Sequence, residues 1–509
     1  LPTPYGASGR SAKRLGRPVK WLADRSETFL SDDQARETLI EAELALDAAG
    51  RFIGARARSL YGVGAYHGPS SFGPATGNSG VMAGVYRIPA MHVTVEGVMM
   101  HVNPAAAYRG AGRPEYCYVI ERLVDTAARE TGRDPVSLRK LNMIPPELIP
   151  YTTALGSTYD SGDFANVMAE ALDLADWAGF EARRKESEAK GLLRGRGLAC
   201  SIERAGLPAQ GEHTRLKLRD DGTVSMAIGT HSHGQGHETA FRQVLGDALG
   251  MSFDAISFEQ GDTELLVGGG GTMGSRSAAV GGGVLRIAAG KLIEAARQVA
   301  SEVLEAAVAD IEFDGQLFRV AGSDLTLDWQ RLAREAAARN MLEALDIAED
   351  YKIADAAWTN GCAVAEVEID PETGKTALVR YAVMGDYGVV LNPMLLEGQL
   401  HGGISQGAGQ ILQEVLRWDP ETGQPLSASF MDYSMPRAAD LPMMTTATHP
   451  VPTGSNLMGI KGAGEAGCVS SMPAVMNAVV DALAPLGVRH LDMPASPERV
   501  WAAIAAARR

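Results

Sequence analysis

The chain has few cysteines, and those it has stand far apart. Cys117, Cys200, Cys362 and Cys468 are the four cysteines in 509 residues, and no two of them form a CxxC pair. This spacing argues against a disulfide framework and against an iron–sulfur site held by this chain alone. It indicates a reducing compartment, and we expect the cytoplasm.

Positive charge and long apolar runs are also scarce. The chain has 47 Lys and Arg against 62 Asp and Glu, a net charge of -15. Such a balance argues against a nucleic-acid partner, although a local basic pocket for a small anion remains open. No apolar run stands out as a membrane span and no signal peptide is visible, so we expect no membrane span.

Length and composition predict a large globular protein. With 45% hydrophobic and 21% charged residues, the chain is expected to fold into two to four domains. The polar stretch 152–163 is the best candidate boundary, dividing the chain into 1–155 and 156–509. Residues 1–9 lack an initiator Met and are rich in turn formers, which is expected of a fragment, a processed subunit or one half of a split protein.

The stretch 229–239 (GTHSHGQGHET) is the most informative part of the sequence. A strand-like segment precedes it, and apolar residues at helical spacing follow it at 241–249, so it is predicted to be a glycine-rich turn into a helix. Such a turn is either only a turn or a site for an anion such as phosphate. Its three histidines, His231, His233 and His237, raise a zinc site as another interpretation.

Two more glycine-rich turns and one carboxylate are further candidates for functional sites. The loop 103–115 carries Arg109 and Arg113 between small residues, and is either an anion site or a tight turn with two solvated arginines. Residues 268–283 form a second Gly/Ser turn at a helix start. Glu465 follows a glycine turn and is either a general base or a helix-start Glu facing solvent.

In this order the motifs resemble the large, molybdenum-bearing subunit of the xanthine dehydrogenase family, in its carbon-monoxide-dehydrogenase-like form. The matching stretches are 107–113, 234–239, 274–277, 402–407 and 462–465. The resemblance implies an α+β fold with two molybdopterin-binding domains of mixed sheets and helices, the N-terminal part of the family architecture being missing. Residues 1–155 would be the remainder of the first domain and residues 156–509 the second.

The resemblance also implies a cofactor and its residues. Molybdenum would be carried by a molybdopterin, in the cytosine dinucleotide form or its mononucleotide relative, and no side chain would ligate the metal directly. Glu465 matches the family's catalytic glutamate. The cofactor-binding residues would be Arg109, Gly110, Ala111, Gly234, Gln235, Gly236, His237, Thr239, Gly274, Ser275, Arg276, Ser277, Gln406 and Gly464.

The implied activity is oxidation of an aldehyde or an N-heterocyclic carbon with oxygen derived from water. Electrons would pass to partner subunits that carry 2Fe–2S clusters and FAD. The alternatives are a truncated, non-catalytic family remnant and a His-based metal hydrolase.

Departures from the family pattern modify these expectations. Gly110 stands where carbon monoxide dehydrogenases have a copper-binding cysteine, so a Mo–S–Cu site is not expected. Ala111 replaces an aromatic residue and implies a roomier pocket. An upstream Gly-Gly-Phe-Gly stretch and glutamine are not found before Lys13. We therefore expect that this chain needs an upstream segment or partner to hold the cofactor.

Overall fold

The computed structural model of the protein describes residues 4–68, 70–266 and 268–509, with side chains from residue 8 onward. Up to residue 160 the chain forms five α-helices and five strands within the described residues. The helices here are α1 (Pro4–Leu15), α2 (Arg25–Ser31), α3 (Gly73–Gly77), α4 (Arg113–Glu130) and α5 (Pro135–Asn142), and the strands are β1 (Thr38–Leu46), β2 (Phe52–Gly64), β3 (Met91–Met99), β4 (Tyr151–Thr152) and β5 (Thr158–Tyr159).

The first three strands form one sheet. β2 runs antiparallel to β1, with Thr38 opposite Tyr61, and parallel to β3, with Ala55 opposite Met91. Along β1, half-buried and exposed residues alternate, as expected of a sheet with one covered face. α4 contacts β1 and buries Ile120 in the adjoining core. The loop between β3 and α4 therefore ends at a fixed helix N-terminus.

The rest of the chain is longer and more strongly buried. Its helices are α6 (Phe164–Leu174), α7 (Phe180–Glu188), α8 (His237–Leu249), α9 (Gly282–Leu304), α10 (Trp329–Ala338), α11 (Pro393–Leu412), α12 (Ala466–Leu483) and α13 (Pro497–Ala507), and its strands are β6 (Leu193–Ala205), β7 (Glu212–Leu218), β8 (Val224–Ile228), β9 (Ile256–Glu259), β10 (Ile311–Phe313), β11 (Phe318–Val320), β12 (Thr326–Leu327), β13 (Asp346–Tyr351), β14 (Ala357–Ile369), β15 (Thr376–Asp386) and β16 (Met444–Thr448).

Two four-stranded sheets organise this part. One has the order β13–β7–β8–β9 and is covered by α8 and α9, which bury Phe241 and Leu285. The other has the order β16–β15–β14–β6 and packs against α12. Each combines antiparallel pairs with one parallel pair, β8–β9 and β15–β16. The predicted α+β architecture of mixed sheets and helices is confirmed.

The core beneath β1–β3 also takes in residues of β6 and β14. Leu198 and Ile202 of β6 and Trp358 of β14 belong to the same buried cluster as Ile120. The predicted division of the chain at residues 155 and 156 is not tested by this packing and stays a prediction.

α12 lies at the centre of the second core. It packs so closely on β6 that a Cβ added at Gly195 would lie 2.1 Å from Ala478 O, and one at Gly197 would lie 2.0 Å from Ala474 O. Glycine is required at such contacts because no side chain fits between the two backbones. By length and hydropathy alone, residues 466–486 would qualify as a membrane span, but 78% of the apolar window within this stretch is buried inside the protein, as in a core helix.

All four cysteines are free and buried. Cys200 on β6 and Cys362 on β14 face each other with their sulfur atoms 3.6 Å apart. The expectation that the chain contains no disulfide framework is confirmed.

Candidate active site

Glu465 is the residue on which three of the glycine stretches converge. It follows the turn 462–464 and is the N-cap residue of α12. Its Oε1 accepts a hydrogen bond from Gly110 N at 2.8 Å, and its Oε2 accepts from Arg113 Nη2 at 2.5 Å and from Ser275 Oγ at 2.9 Å. Solvent reaches 14% of the side chain. Glu465 is a helix-start residue that points into the protein.

The surroundings of Glu465 favour its charged form. Burial acts to raise its pKa, but the Arg113 guanidinium, Gly110 N–H and Ser275 hydroxyl outweigh burial and hold the pKa below its usual value. The N-terminus of α12 adds the positive end of a helix dipole. Glu465 is therefore a carboxylate at neutral pH, and its Oε1, which accepts a single hydrogen bond, keeps a lone pair for an incoming proton.

A second carboxyl, Glu203, shares this cluster. It lies near the end of β6, where its Oε1 is 2.8 Å from Ser275 Oγ and 3.8 Å from Arg113 Nη2. Only 2% of its side chain is exposed. Burial raises the pKa of Glu203 to about 8, with the Arg113 charge opposing the rise and the Glu465 charge adding to it. Sequence reasoning missed Glu203, although a Glu in the apolar run 197–205 is the signal that marks it.

Arg109 joins three stretches that the sequence had singled out. Its Nε donates to Gly464 O at 2.6 Å, its Nη1 to Gln406 Oε1 at 3.1 Å and its Nη2 to Gln399 O at 2.9 Å. Arg113 is 2% exposed, and its Nε donates to Gly110 O at 2.6 Å. The alternative of a tight turn with two solvated arginines is wrong, since both guanidinium groups cross-link the site.

The loop that presents these arginines has an unusual backbone. Gly110, Ala111 and Gly112 have φ values of 100°, 46° and 94°. A Cβ at Gly112 would lie 1.8 Å from Pro74 O, and Asn78 Nδ2 donates to Ala111 O at 2.6 Å. The segment 74–78 thus clamps the loop from one side, and only glycine fits at residue 112.

Arg36 also contacts the loop that carries Arg109. Its Nη2 donates to Arg109 O, its guanidinium lies 4.6 Å from the Tyr108 ring centroid, and its Nε lies 3.6 Å from Glu115 Oε1. The side chain is 3% exposed. No local sequence pattern marks Arg36, because all of these partners lie 72 residues or more further along the chain.

Residues of the turn 274–277 lie partly at the site and partly in the protein interior. Ser275 has a φ of 53° and points its hydroxyl at Glu465 and Glu203. Gly274 approaches Leu207, and its carbonyl accepts from Gly206 N at 2.9 Å. Arg276 is fully buried and donates to Glu212 Oε2 at 2.7 Å, forming an ion pair within the protein. The Ser277 hydroxyl donates to Thr272 Oγ1 at 3.3 Å. Among these residues, Ser275 alone reaches Glu465.

The turn 229–239 has the predicted form. It connects β8 to α8, and residues 231–234 are exposed. Gly234 has a φ of 97°, and a Cβ there would meet nothing within 4 Å. Gln235 folds back on the turn, accepting from His233 N and donating to His231 O at 3.1 Å. Gly236 lies against Leu395 of α11. The backbone of this turn is therefore open to an incoming group at Gly234.

The histidines of this turn do not form a metal site. The rings of His231 and His233 stack with centroids 4.6 Å apart, whereas the buried His237 packs on Phe241 at 5.1 Å. Burial lowers the pKa of His237 to about 4, with help from the two neighbouring imidazoles, so this ring is neutral. Within the described ranges, no group of three or more His, Cys, Asp or Glu residues is arranged to hold a metal ion. The zinc-hydrolase alternative is therefore unsupported.

The glycines 402–409 of α11 serve mainly helix packing. A Cβ at Gly407 would lie 2.0 Å from Ser471 Oγ, and one at Gly403 would lie 3.0 Å from Cys468 N of α12. Gly402 instead lies beside Arg109, since a Cβ added at Gly402 would be 3.3 Å from Arg109 Nη1. Close packing of α11 on α12 therefore accounts for the glycines at residues 403 and 407.

Comparison with known families accounts for this arrangement. The family model described as a molybdopterin cofactor-binding domain matches residues 170–442, more than half of the chain, and a second model of the same description matches residues 6–143. The chain belongs to the molybdopterin cofactor-binding family. The resemblance drawn from the five motifs is confirmed.

Relatives of this molybdopterin-binding chain include large subunits of several oxidoreductases. It is 34% identical to the 6-hydroxypseudooxynicotine dehydrogenase complex subunit gamma of Paenarthrobacter nicotinovorans and 34% identical to the carbon monoxide dehydrogenase large chain of Hydrogenophaga pseudoflava, in each case over 96% of this chain and 63% of the relative. The crystal structure of quinoline 2-oxidoreductase from Pseudomonas putida 86 superposes with a TM-score of 0.91 at 32% identity, covering 97% of this chain and 65% of that one. The chain thus spans slightly less than two thirds of the length of these relatives.

Proposed function

We propose that this chain is the molybdenum-binding catalytic subunit of a hydroxylase that oxidises an aldehyde or an N-heterocyclic carbon with oxygen derived from water. The observation that carries the proposal is Glu465, an ionised carboxylate held by three donors in a partly buried site of a molybdopterin-binding protein. A carboxylate so placed suits removal of a proton from a reacting group. The quinoline and 6-hydroxypseudooxynicotine named for two relatives support an N-heterocyclic substrate class.

The residues present fit a pterin cofactor with phosphate groups. α8 begins at Gly236 without a side-chain cap among the described residues, so the N–H groups of its first turn are available to an anion. The open Cα of Gly234 leaves room for a close approach. We infer that 234–239 and the Arg109–Ala111 loop hold the cofactor, with Gln235, Thr239 and Gln406 as side-chain contacts and Gly464 as a backbone contact. The cytosine dinucleotide is the proposed form.

The cofactor, when bound, supplies the oxygen-transfer and two-electron chemistry, and this chain positions and deprotonates. Glu465 accepts the proton at Oε1, the oxygen with the free lone pair. Arg113 and Ser275 hold Oε2 in place and keep the carboxylate ionised before the proton arrives. Arg109 ties the loop at residues 109–111 to α11 and to Gly464, which fixes the distance between the proton acceptor and the cofactor-binding loop.

Electron transfer is proposed to need other subunits. All four cysteines are buried, and they lie on four different elements, α4, β6, β14 and α12, so they do not form an iron–sulfur ligand set. We propose partner subunits that carry 2Fe–2S clusters and FAD, and a cytoplasmic complex with no nucleic-acid partner.

The proposal is tested with Glu465→Gln in the purified complex. The amide keeps the size of the side chain and removes the proton acceptor, so turnover should fall at least about a hundredfold. Molybdenum and pterin content should stay near the wild-type level. The control is Glu43→Gln, an exposed residue on β1, which should leave turnover unchanged. Wild-type turnover in Glu465→Gln would remove Glu465 from the mechanism.

Metal analysis tests the absence of copper. Gly110 offers no thiolate, its N–H is used by Glu465, and Cys117 is buried in α4 at 1% exposure. The complex should contain molybdenum without stoichiometric copper and should not oxidise carbon monoxide at a useful rate. One copper per molybdenum would contradict this assignment.

A further inference from the structure

One hydroxyl group stands between two carboxyl groups in the active site. Ser275 Oγ lies 2.8 Å from Glu203 Oε1 and 2.9 Å from Glu465 Oε2. A hydroxyl has one hydrogen and can donate it to only one of these oxygens. If both carboxyls were ionised, the other contact would bring two sets of lone pairs together at hydrogen-bond distance. The geometry therefore requires one more hydrogen, and a protonated carboxyl is its source.

The two carboxyls differ in how well the protein solvates a negative charge. Glu465 accepts from Arg113 Nη2 at 2.5 Å and from Gly110 N, which suits a carboxylate. Glu203 lies 3.8 Å from the same nitrogen, and its Oε2 is buried without a hydrogen-bond partner among the described residues. An unpartnered carboxylate oxygen in a buried site is costly, so the proton belongs on Glu203.

The space behind Glu203 does not alter this assignment. Glu203 lines a cavity of about 10 Å³ that Thr359, Asn360, Tyr387 and Ser470 also line. A space of this size is at the lower limit for a single water molecule, so it provides no bulk hydration. Burial raises the pKa of Tyr387, whose hydroxyl stays protonated and brings no counter-charge.

Charged groups on α4 and β15 act on Glu203 and Glu465 or on the residues beside them. Arg113 at the start of α4 is the adjacent cation, and each carboxyl is the nearest anion to the other. Glu115 acts on Arg113 from the same helix, and Asp386 acts on Tyr387 from β15. Two carboxyls thus compete for one guanidinium, which stabilises one negative charge between them.

We propose that Glu203 and Glu465 share one proton across Ser275, that the proton resides on Glu203 at neutral pH, and that Glu203 thereby holds Glu465 ionised. The hydrogen bonds then run from Glu203 Oε1–H to Ser275 Oγ, and from Ser275 Oγ–H to Glu465 Oε2. Shifting both hydrogens along this chain leaves Glu203 a carboxylate and Glu465 neutral, with no other change. Glu203 is a positioning residue, and its catalytic consequence rests on the proposed function.

The proton is measured directly by infrared difference spectroscopy of the full 509-residue chain in D2O. Wild type should show the carbonyl stretch of a protonated carboxyl at neutral pH that is missing in Glu203→Gln and unchanged in the exposed control Glu43→Gln. Absence of such a band in wild type would overturn the proposal. This measurement needs neither cofactor nor substrate.

The variant Glu465→Gln distinguishes a proton shared by the two carboxyls from a Glu203 that burial alone keeps protonated. Without the Glu465 charge, Arg113 is left to Glu203, which should ionise at least about tenfold more readily, a fall of one pKa unit or more. The neutral-pH band should weaken accordingly. An unchanged band would mean that burial alone protonates Glu203, and the sharing would be wrong. If this variant fails to fold, Ser275→Ala replaces it: loss of the acceptor should move the band to higher frequency, and an unmoved band would equally refute the link.

The catalytic consequence is read from the pH profile of kcat in the complex. Glu203→Leu cannot donate to Ser275, which weakens the donation from Ser275 to Glu465 and should move the acid limb to higher pH. Glu203→Gln retains an N–H donor and should restore the limb toward wild type. An unmoved limb in Glu203→Leu would refute this role. A complex that oxidises no aldehyde or N-heterocycle would refute the proposed function and leave the infrared result standing.

Discussion

The two sides of the active site differ in whether the protein itself supplies hydrogen-bond partners for their polar groups. Around Glu465 the protein supplies every partner, with three donors within 2.9 Å of its two oxygens. At the turn 231–234 the residues are exposed, and α8 begins without a side-chain cap among the described residues. The proton-handling side is thus preorganised by the chain itself, whereas the ligand-holding side offers free donors. A mutation should cost stability on the first side and cofactor retention on the second.

Arg113→Met tests the preorganised side most severely. It removes the cation that Glu203 and Glu465 share and leaves a buried carboxylate unpaired, so the free energy of unfolding should fall by about 3–5 kcal/mol. Chemical denaturation of the full chain measures the loss. The matched control is Arg56→Met, which breaks an exposed ion pair with Glu43 and should cause no measurable change. Equal stabilities of the two variants would show that the cluster is not preorganised.

A pair of glycine substitutions sharpens the comparison. Gly112 and Gly234 have nearly the same φ, 94° and 97°, but the added Cβ would lie 1.8 Å from Pro74 O in the first case and in open space in the second. Gly112→Ala should destabilise the chain by about 2–5 kcal/mol, and Gly234→Ala by about 1–2 kcal/mol. Gly234→Ala should instead lower the molybdenum content of the purified complex.

Denaturation and metal analysis of both glycine variants check this division. Full molybdenum loading of Gly234→Ala would argue that the open turn does not contact the cofactor. A stability loss as small in Gly112→Ala as in Gly234→Ala would mean that the segment 74–78 yields to the new methyl group.

The sequence revealed the turns and most elements but not the charged network. Local patterns suffice for β8 and α8, because hydrophobic spacing and glycines lie next to each other in the chain. Gly110 and Glu465, however, are 355 residues apart, and no periodicity connects them. Arg36 and Glu203 act through partners that lie 72 residues or more away in sequence, so folding alone brings them to the site. The family resemblance named Glu465, Gly110 and Ser275, whereas the contacts among them, and the parts played by Arg36 and Glu203, needed the structure.

His237 gives the smallest predicted effect and tests the open side. Its folded pKa of about 4 lies below its usual value because the ring is buried, so the unfolded chain binds a proton more readily between these values. The stability contributed by neutral His237 is fully present above about pH 6.5 and is lost as pH falls toward 4. His237→Phe, which keeps the ring contact with Phe241, should lose less stability over this window in pH-dependent denaturation. A pH dependence identical to wild type would mean that His237 titrates normally.

The position of α12 also bears on how the chain is made. β6 is synthesised before α12, and its glycines, Gly195 and Gly197, form a groove that α12 fills. About 260 residues separate the two elements, so at roughly 5–20 residues per second the ribosome takes tens of seconds to deliver the helix. Until α12 emerges, the sheet that β6 forms with β14 and β15 lacks its cover on this side, and chaperones that bind apolar surfaces can act there. α12 then covers this core, to which α13 adds Val500 and Ile504.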